Sequence, residues 1–115
     1  MVSGYVFLGR PGDDQSVIED WNASVGLIHW VARFVADNVA DPATAEKVRY
    51  YPDSDIGYLP LMSFTDGEVR DIVRVIRDRL PAAADARFPP DEFGVGTHLR
   101  DLVGMVTRWS ESRGL

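Results

Sequence analysis

The residues with the clearest potential for chemistry are two histidines and a short acidic loop. His29 and His98 are the only histidines in the sequence, and neither has the spacing of a metal-binding pair such as His-x-x-x-His. Hydrolysis would need them to converge with carboxylates. We interpret both as solvated or hydrogen-bonded surface groups. Asp53-Ser54-Asp55 begins like a calcium loop, but position 12 of that loop is Phe64, where a bidentate glutamate is required.

Other catalytic and phosphate-binding motifs do not occur in the sequence. There is no cysteine, which excludes a thiol nucleophile, and no Gly-x-Ser-x-Gly motif. Gly94-Val95-Gly96 lacks the third glycine of a dinucleotide loop. Arg70, Arg74 and Arg77 share a helical spacing that suits a phosphate or an acidic partner, but a solvated helix flank is the simpler interpretation. We therefore expect no catalytic residue, no metal and no cofactor, and we expect that the protein is not an enzyme.

The most informative feature is an acidic and aromatic segment in the middle of the chain. No basic residue lies between Arg49 and Arg70, whereas this segment and its border hold four acidic and four aromatic residues. Acidic groups steer a basic partner and aromatic side chains anchor it, although tyrosines that pack helix ends and aspartates that cap turns would give the same composition. The predicted partner-binding residues are Trp30, Tyr51, Asp53, Asp55, Tyr58 and Asp66.

The charge balance indicates which partners suit this protein. Its 115 residues include 12 basic and 18 acidic ones, and the net charge of −6 arises entirely in residues 1–66. Binding to nucleic acids or anionic membranes depends on an excess of Lys and Arg, so we expect neither. No apolar run approaches the length of about 20 residues that spans a bilayer. We expect residues 1–115 to form a single domain of a soluble, cytoplasmic protein. We expect its partner to be a basic protein. The sequence leaves the oligomeric state open.

The elements that must position these residues are mostly helical. The periodicity of apolar residues predicts helices over 24–38, 42–50 and 66–80, with a last helix from Thr97 or from a point closer to Pro90. Ser24 is the expected cap of the first helix, and Thr65-Asp66-Gly67-Glu68 matches the capping box of the third. We expect Val35, Ile76 and Trp109 to be buried in the core. We expect Arg33, Arg74 and Arg108 to lie outside it.

The remaining segments are predicted as short or irregular. Residues 4–9 indicate a short strand, residues 14–21 a first helical piece, residues 58–64 an extended segment or edge strand, and residues 81–90 an irregular Ala/Pro-rich connection. Each amphipathic helix must bury its apolar stripe. The predicted fold is therefore mainly α, a small bundle of about four helices with a short extended N-terminal segment.

This combination resembles the small helical immunity proteins of bacterial polymorphic-toxin and contact-dependent inhibition systems. The resemblance lies in the small acidic helical chain, in the order Ser24-Val25-Gly26-Leu27, Trp30-Val31 and Phe34-Val35, and in the later helix capped by Thr65. It is a resemblance of kind, so no residue role is carried over. It implies a tight complex with a cognate toxin domain, often a nuclease, whose working surface is blocked.

Three functions remain open from the sequence. The first is a toxin-neutralising immunity protein that binds through the acidic, aromatic segment. The second is a small interaction or regulatory module, which includes a homodimer. The third is a small enzyme or ligand-binding domain, which would need a pocket that joins a histidine to carboxylates.

Overall fold

The computed structural model describes residues 2–89 and 94–115. In this part of the chain, three strands and five α-helices follow one another, with 3₁₀ turns at Gln15–Val17 and Leu61–Ser63. The strands are β1 (Ser3–Leu8), β2 (Glu19–Ser24) and β3 (Tyr58–Pro60), and the helices are α1 (Val25–Asn38), α2 (Pro42–Asp53), α3 (Asp66–Asp78), α4 (Leu80–Arg87) and α5 (Val95–Arg113).

The three strands form one sheet in the order β2-β1-β3. β2 runs antiparallel to β1 and β3 runs parallel to it, so that Trp21 and Leu59 both lie beside Val6. Side chains alternate between the two faces of a strand. Val6, Trp21 and Leu59 are therefore buried against the helices, while Tyr5 and Tyr58 lie on the other face and are exposed.

The N-terminal segment thus becomes the central strand of a sheet, and the helix predicted over residues 14–21 is wrong. Asp14 caps only a 3₁₀ turn by accepting a hydrogen bond from the Ser16 amide at 3.1 Å. β2 then begins at Glu19. Trp21 is buried, and the residues on either side of it, Asp20 and Asn22, are exposed. Pairing with β1 supplies the backbone hydrogen bonds that a local helix would otherwise make.

Most of the predicted helices are confirmed, together with the caps Ser24 and Thr65. Thr97 does not cap the last helix, which begins earlier, at Val95, with Gly94 at its cap position. The Ser24 hydroxyl accepts a hydrogen bond from the Leu27 amide at 3.3 Å, and Thr65 and Glu68 form the complete reciprocal capping box of α3. α2 extends to Asp53, three residues beyond the predicted end, with Pro52 in its last turn.

The segment predicted as irregular over residues 81–90 is a helix over most of its length. α4 spans Leu80–Arg87, and Pro81 lies in its first turn, where the missing amide hydrogen leaves no internal hydrogen bond unmade. Leu80 and Ala84 are buried and attach the helix to the core. Residue 90, the last of the predicted segment, lies outside the described residues.

The long helices share one hydrophobic core, as predicted. Val35 in α1, Ile76 in α3 and Trp109 in α5 are all buried and belong to the same cluster as Val6 of the sheet. The mainly α class is confirmed, although the helices pack on one face of a sheet and do not form a bundle alone. No helix in the described part of the chain combines the length and the apolar character required to cross a lipid bilayer.

The core assignment can be tested at Ile76, which is fully buried in α3. The Ile76→Ala substitution removes buried methylene and methyl groups and leaves a cavity, so we expect the free energy of unfolding to fall by about 2–5 kcal/mol. Urea denaturation measures the loss. Val17→Ala, at a position that is 47% exposed, is the control and should change stability by about 0.5 kcal/mol or less. A loss below about 1 kcal/mol for Ile76→Ala would contradict the assignment.

Candidate functional site

The solvent-facing side of the sheet carries a row of aromatic rings. Alternation along β1 directs Tyr5 and Phe7 to this side, and their rings stack with centroids 5.3 Å apart. Tyr58 of β3 lies next in the row, with its ring centroid 6.1 Å from that of Phe7. Separations of this kind are typical of aromatic pairs that stabilise each other.

The row continues from the sheet onto the end of α2. The Tyr51 ring lies 6.1 Å from Tyr58 and 5.3 Å from Tyr50. Tyr50 is 59% exposed, Tyr58 45% and Tyr5 37%. Phe7 and Tyr51 are half-buried and connect these three exposed rings into one surface. A contiguous surface of large aromatic groups is typical of an interaction site. We refer to the surface formed by Tyr5, Phe7, Tyr50, Tyr51 and Tyr58 as the aromatic face.

Two open clefts flank Tyr58, and each has one carboxylate in its lining. The first, of about 520 Å³, is lined by Tyr5, Tyr58 and Asp55 together with Val2, Ser3, Val25 and Gly57. The second, of about 460 Å³, is lined by Phe7, Tyr58 and Asp20 together with Gln15, Ile18, Pro60 and Met62. Tyr58 therefore separates two clefts that each combine an aromatic wall with an acidic group.

The predicted acidic residues differ in how far the protein neutralises them. Asp66 forms an ion pair with Arg10, and Glu68 forms one with Lys47 at 2.7 Å. The contact between Asp53 and Arg33 is long for an ion pair, at 3.9 Å, and both side chains are more than half exposed. No cation of the described residues lies within ion-pair distance of Asp55. Asp55 and Asp53 thus remain available to a partner, whereas Asp66 is already engaged.

Asp55 also has an unusual backbone conformation. With φ at +57°, it is the one non-glycine residue with positive φ in the described part of the chain. It follows α2, and the Ile56 amide beyond it donates to the Tyr51 carbonyl at 2.8 Å, which closes the turn. Glycine is the usual residue at this point of a helix end because it has no Cβ to clash.

Trp30 lies in a different environment from the other predicted residues. It stacks on Phe34 at 5.8 Å and meets Phe88 edge-on at 5.1 Å. The cleft that Trp30 lines also has two cationic side chains in its lining, Arg33 and Arg87, whereas the two clefts beside Tyr58 each have a carboxylate. The structure thus brings Tyr51 and Tyr58 together and places Trp30 apart from them. The partner-binding roles of all six predicted residues stay predictions.

Both histidines bond to backbone carbonyls in separate parts of the fold. His29 Nε2 donates to the Ile56 carbonyl at 2.9 Å, and His98 Nε2 donates to the Asn22 carbonyl. The His98 ring also stacks on Trp21. Among residues 2–89 and 94–115, no group of three or more His, Asp or Glu side chains is placed to hold a metal ion.

Sequence reasoning missed Tyr5, Phe7 and Asp20. The sequence signal for the first two was the alternation of residues 4–8, in which glycine and aliphatic residues occupy one face and aromatic residues the other. Asp20 was missed because its segment was predicted as helix.

Arg70, Arg74 and Arg77 were interpreted as a solvated flank of α3. The structure agrees in part, since Arg74 and Arg77 form ion pairs with neighbouring aspartates on the same helix.

Comparison of the chain with protein-family models, with curated proteins and with solved structures finds no match. The geometry of the aromatic face and the charges around it are therefore the basis for a functional proposal.

The backbone strain at Asp55 predicts a gain in stability on substitution. Asp55→Gly removes the Cβ from a left-handed conformation, so we expect the free energy of unfolding to rise by up to about 1 kcal/mol. Urea denaturation measures the change. Ser54→Gly is the matched control: Ser54 has φ of −94°, so glycine relieves no strain there and should lower stability by about 0.5–1 kcal/mol. A loss of stability in Asp55→Gly would show that its conformation is not strained.

The ion pair of Glu68 predicts a loss of stability in acid. The hydrogen bond from the Lys47 ammonium, followed by that from the Thr65 amide, lowers the pKa of Glu68 below its ordinary value. A folded-state pKa below that of the unfolded chain stabilises the protein at neutral pH, and this contribution is lost as pH falls through the lowered pKa. Glu68→Gln should flatten this part of the pH dependence in urea denaturation below about pH 5. Glu46→Gln on the exposed side of α2 is the control, and equal behaviour of the two variants would contradict the prediction.

Proposed function

We propose that this chain is a toxin-neutralising immunity protein that binds a cognate protein toxin with a basic surface through the aromatic face. The observation that carries the proposal is the position of Tyr58 between two clefts, each with an aromatic wall and a carboxylate. Aromatic side chains at the centre of an interface contribute most of its binding energy. Carboxylates at its edge steer a basic partner toward it.

The charge of the chain supports a basic protein as the partner. The net charge is −6, and three carboxylates lie beside the aromatic face. Among the described residues, Asp20 and Asp55 have no cation within ion-pair distance, and Asp53 has one long, exposed contact with Arg33 at 3.9 Å. A nuclease toxin must hold phosphates on its own surface and therefore presents clustered Lys and Arg. We place this encounter in the cytoplasm, where such a toxin would act on its substrate.

A regulatory module or a homodimer is the second candidate function. The aromatic face could bind a second copy of itself, but the acidic groups beside it would then face each other and repel. Sedimentation analysis of the purified chain separates the two cases. A monomer at micromolar concentration supports the toxin-neutralising function, and a dimer that Tyr58→Ala dissociates would overturn it.

The third candidate, a small enzyme or ligand-binding domain, has less support from the geometry. His29 and His98 bond to carbonyls on different loops and strands, so each already has a structural partner. A hydrolase screen that found turnover abolished by His29→Ala or by His98→Ala would favour this candidate over ours.

The direct test uses the protein encoded directly upstream of this chain. We expect it to arrest growth when expressed alone, to be harmless when co-expressed with this chain, and to bind it in surface plasmon resonance. Tyr58→Ala should raise the dissociation rate about 30-fold, which corresponds to about 2 kcal/mol. Arg108→Ala, at an exposed position on α5, is the control. Absence of growth arrest or of binding would overturn the proposal.

The contribution of charge can be separated from that of the aromatic groups. Neutralising Asp20, Asp53 and Asp55 to asparagine should slow association and weaken its salt dependence, with little change in the dissociation rate. The matched control carries the same change in net charge on α4 and α5, through Asp85→Asn, Asp101→Asn and Glu111→Gln, all at exposed positions. Equal slowing by the two triple variants would show that the charge acts through the whole molecule and that the aromatic face is not the contact.

A further inference from the structure

We infer that the cleft between Tyr5 and Tyr58 receives an arginine side chain, whose guanidinium pairs with Asp55. The inference depends on the proposed function only for the source of that arginine, a surface loop of the basic partner. The cleft itself is a property of this chain, so its preference for a guanidinium group can be measured without the partner.

The aromatic walls of the cleft are held by a close approach of two backbone segments. The Tyr5 amide donates to the Gly57 carbonyl at 3.0 Å. A Cβ on Gly4 would lie 2.4 Å from this same carbonyl oxygen, so only glycine permits the approach. Tyr5 is therefore fixed next to the turn that carries Asp55, and Tyr58 follows directly after Gly57 on β3.

The turn that carries Asp55 is held from two sides. His29 of α1 donates to the Ile56 carbonyl, and the Ile56 amide donates to Tyr51 of α2. The Asp55 side chain itself lies in an exposed position at the cleft lining. A carboxylate on a well-bonded turn loses little conformational freedom when a ligand binds.

Asp55 adopts the left-handed conformation at a smaller cost than most residues, but at a larger cost than glycine. Glycine would satisfy the left-handed backbone with less strain, and no cation of the described residues pairs with the carboxylate. Residues in sparsely populated backbone regions are enriched at ligand sites, which is consistent with a ligand at Asp55. The carboxylate at the cleft is thus the part of residue 55 that a ligand would use.

An arginine fits this combination better than other cationic ligands. The guanidinium group is planar, stacks on aromatic rings and donates two parallel hydrogen bonds to one carboxylate. A lysine ammonium makes a compact point contact and gains less from the tyrosine walls. Ca²⁺ and Mg²⁺ require several oxygen ligands, and this cleft has Asp55 as its one carboxylate side chain.

The test is a titration of the full chain with N-acetyl-arginine amide, followed by ¹H–¹⁵N NMR. We expect saturable shifts of the Gly57 and Tyr58 amides, and an affinity at least about 5-fold higher than for the citrulline analogue, which has the same shape without the charge. The lysine analogue should bind more weakly than the arginine one. Asp55→Asn retains a residue that tolerates positive φ and should weaken arginine binding about 5-fold or more.

Asp101→Asn, an exposed change on α5, is the matched control and should leave the affinity unchanged. Arginine binding that persists in Asp55→Asn, equal binding of the citrulline or lysine analogue, or shifts that avoid Gly57 and Tyr58 would each overturn the inference. None of these results depends on the upstream protein. A failed growth rescue together with Asp55-dependent arginine binding would instead reject the proposed function and leave the cleft assignment in place.

Discussion

The alternation of side chains along β1 is the constraint on which the rest of the structure depends. The strand lies at the centre of the sheet, so its inward residues Val6 and Leu8 anchor the helices while Tyr5 and Phe7 face solvent. A shift of one residue in its pairing would exchange these two sets. The same register therefore determines both the core and the aromatic face, and the face cannot be lost by a local slip without exposing the core.

The helices could be predicted from the sequence because their determinants are local. The hydroxyls of Ser24 and Thr65 bond to amides three residues away, and the apolar stripes repeat within each helix. β2 could not be predicted in this way, because Trp21 pairs with Val6, 15 residues earlier in the chain, and this separation exceeds the three or four residues over which helix signals act. α4 was missed for another reason: its run of alanines after Pro81 has no apolar stripe to detect.

The candidate site shows the same division between local and non-local information. Tyr51, Asp55 and Tyr58 could be predicted as candidate residues because acidic and aromatic residues are concentrated in one segment. Tyr5 and Phe7 reach this segment only through the parallel pairing of β1 with β3, which composition does not reveal. Composition also gave no means to separate Asp66, whose carboxylate pairs with Arg10, from carboxylates that remain available.

The pattern of ion pairs is a further observation that supports our proposal of a partner at the sheet. Carboxylates at the start of α3 act within the protein: Glu68 bonds to Lys47 and to the Thr65 amide, and both contacts hold the helix end in place. Asp55 has no such internal role in the described chain and occupies a backbone conformation that glycine would adopt with less strain. An exposed carboxylate without an ion pair contributes little to the stability of the isolated fold. Its contribution to a complex with a cationic partner would be correspondingly direct, because a preformed acceptor loses little freedom on binding.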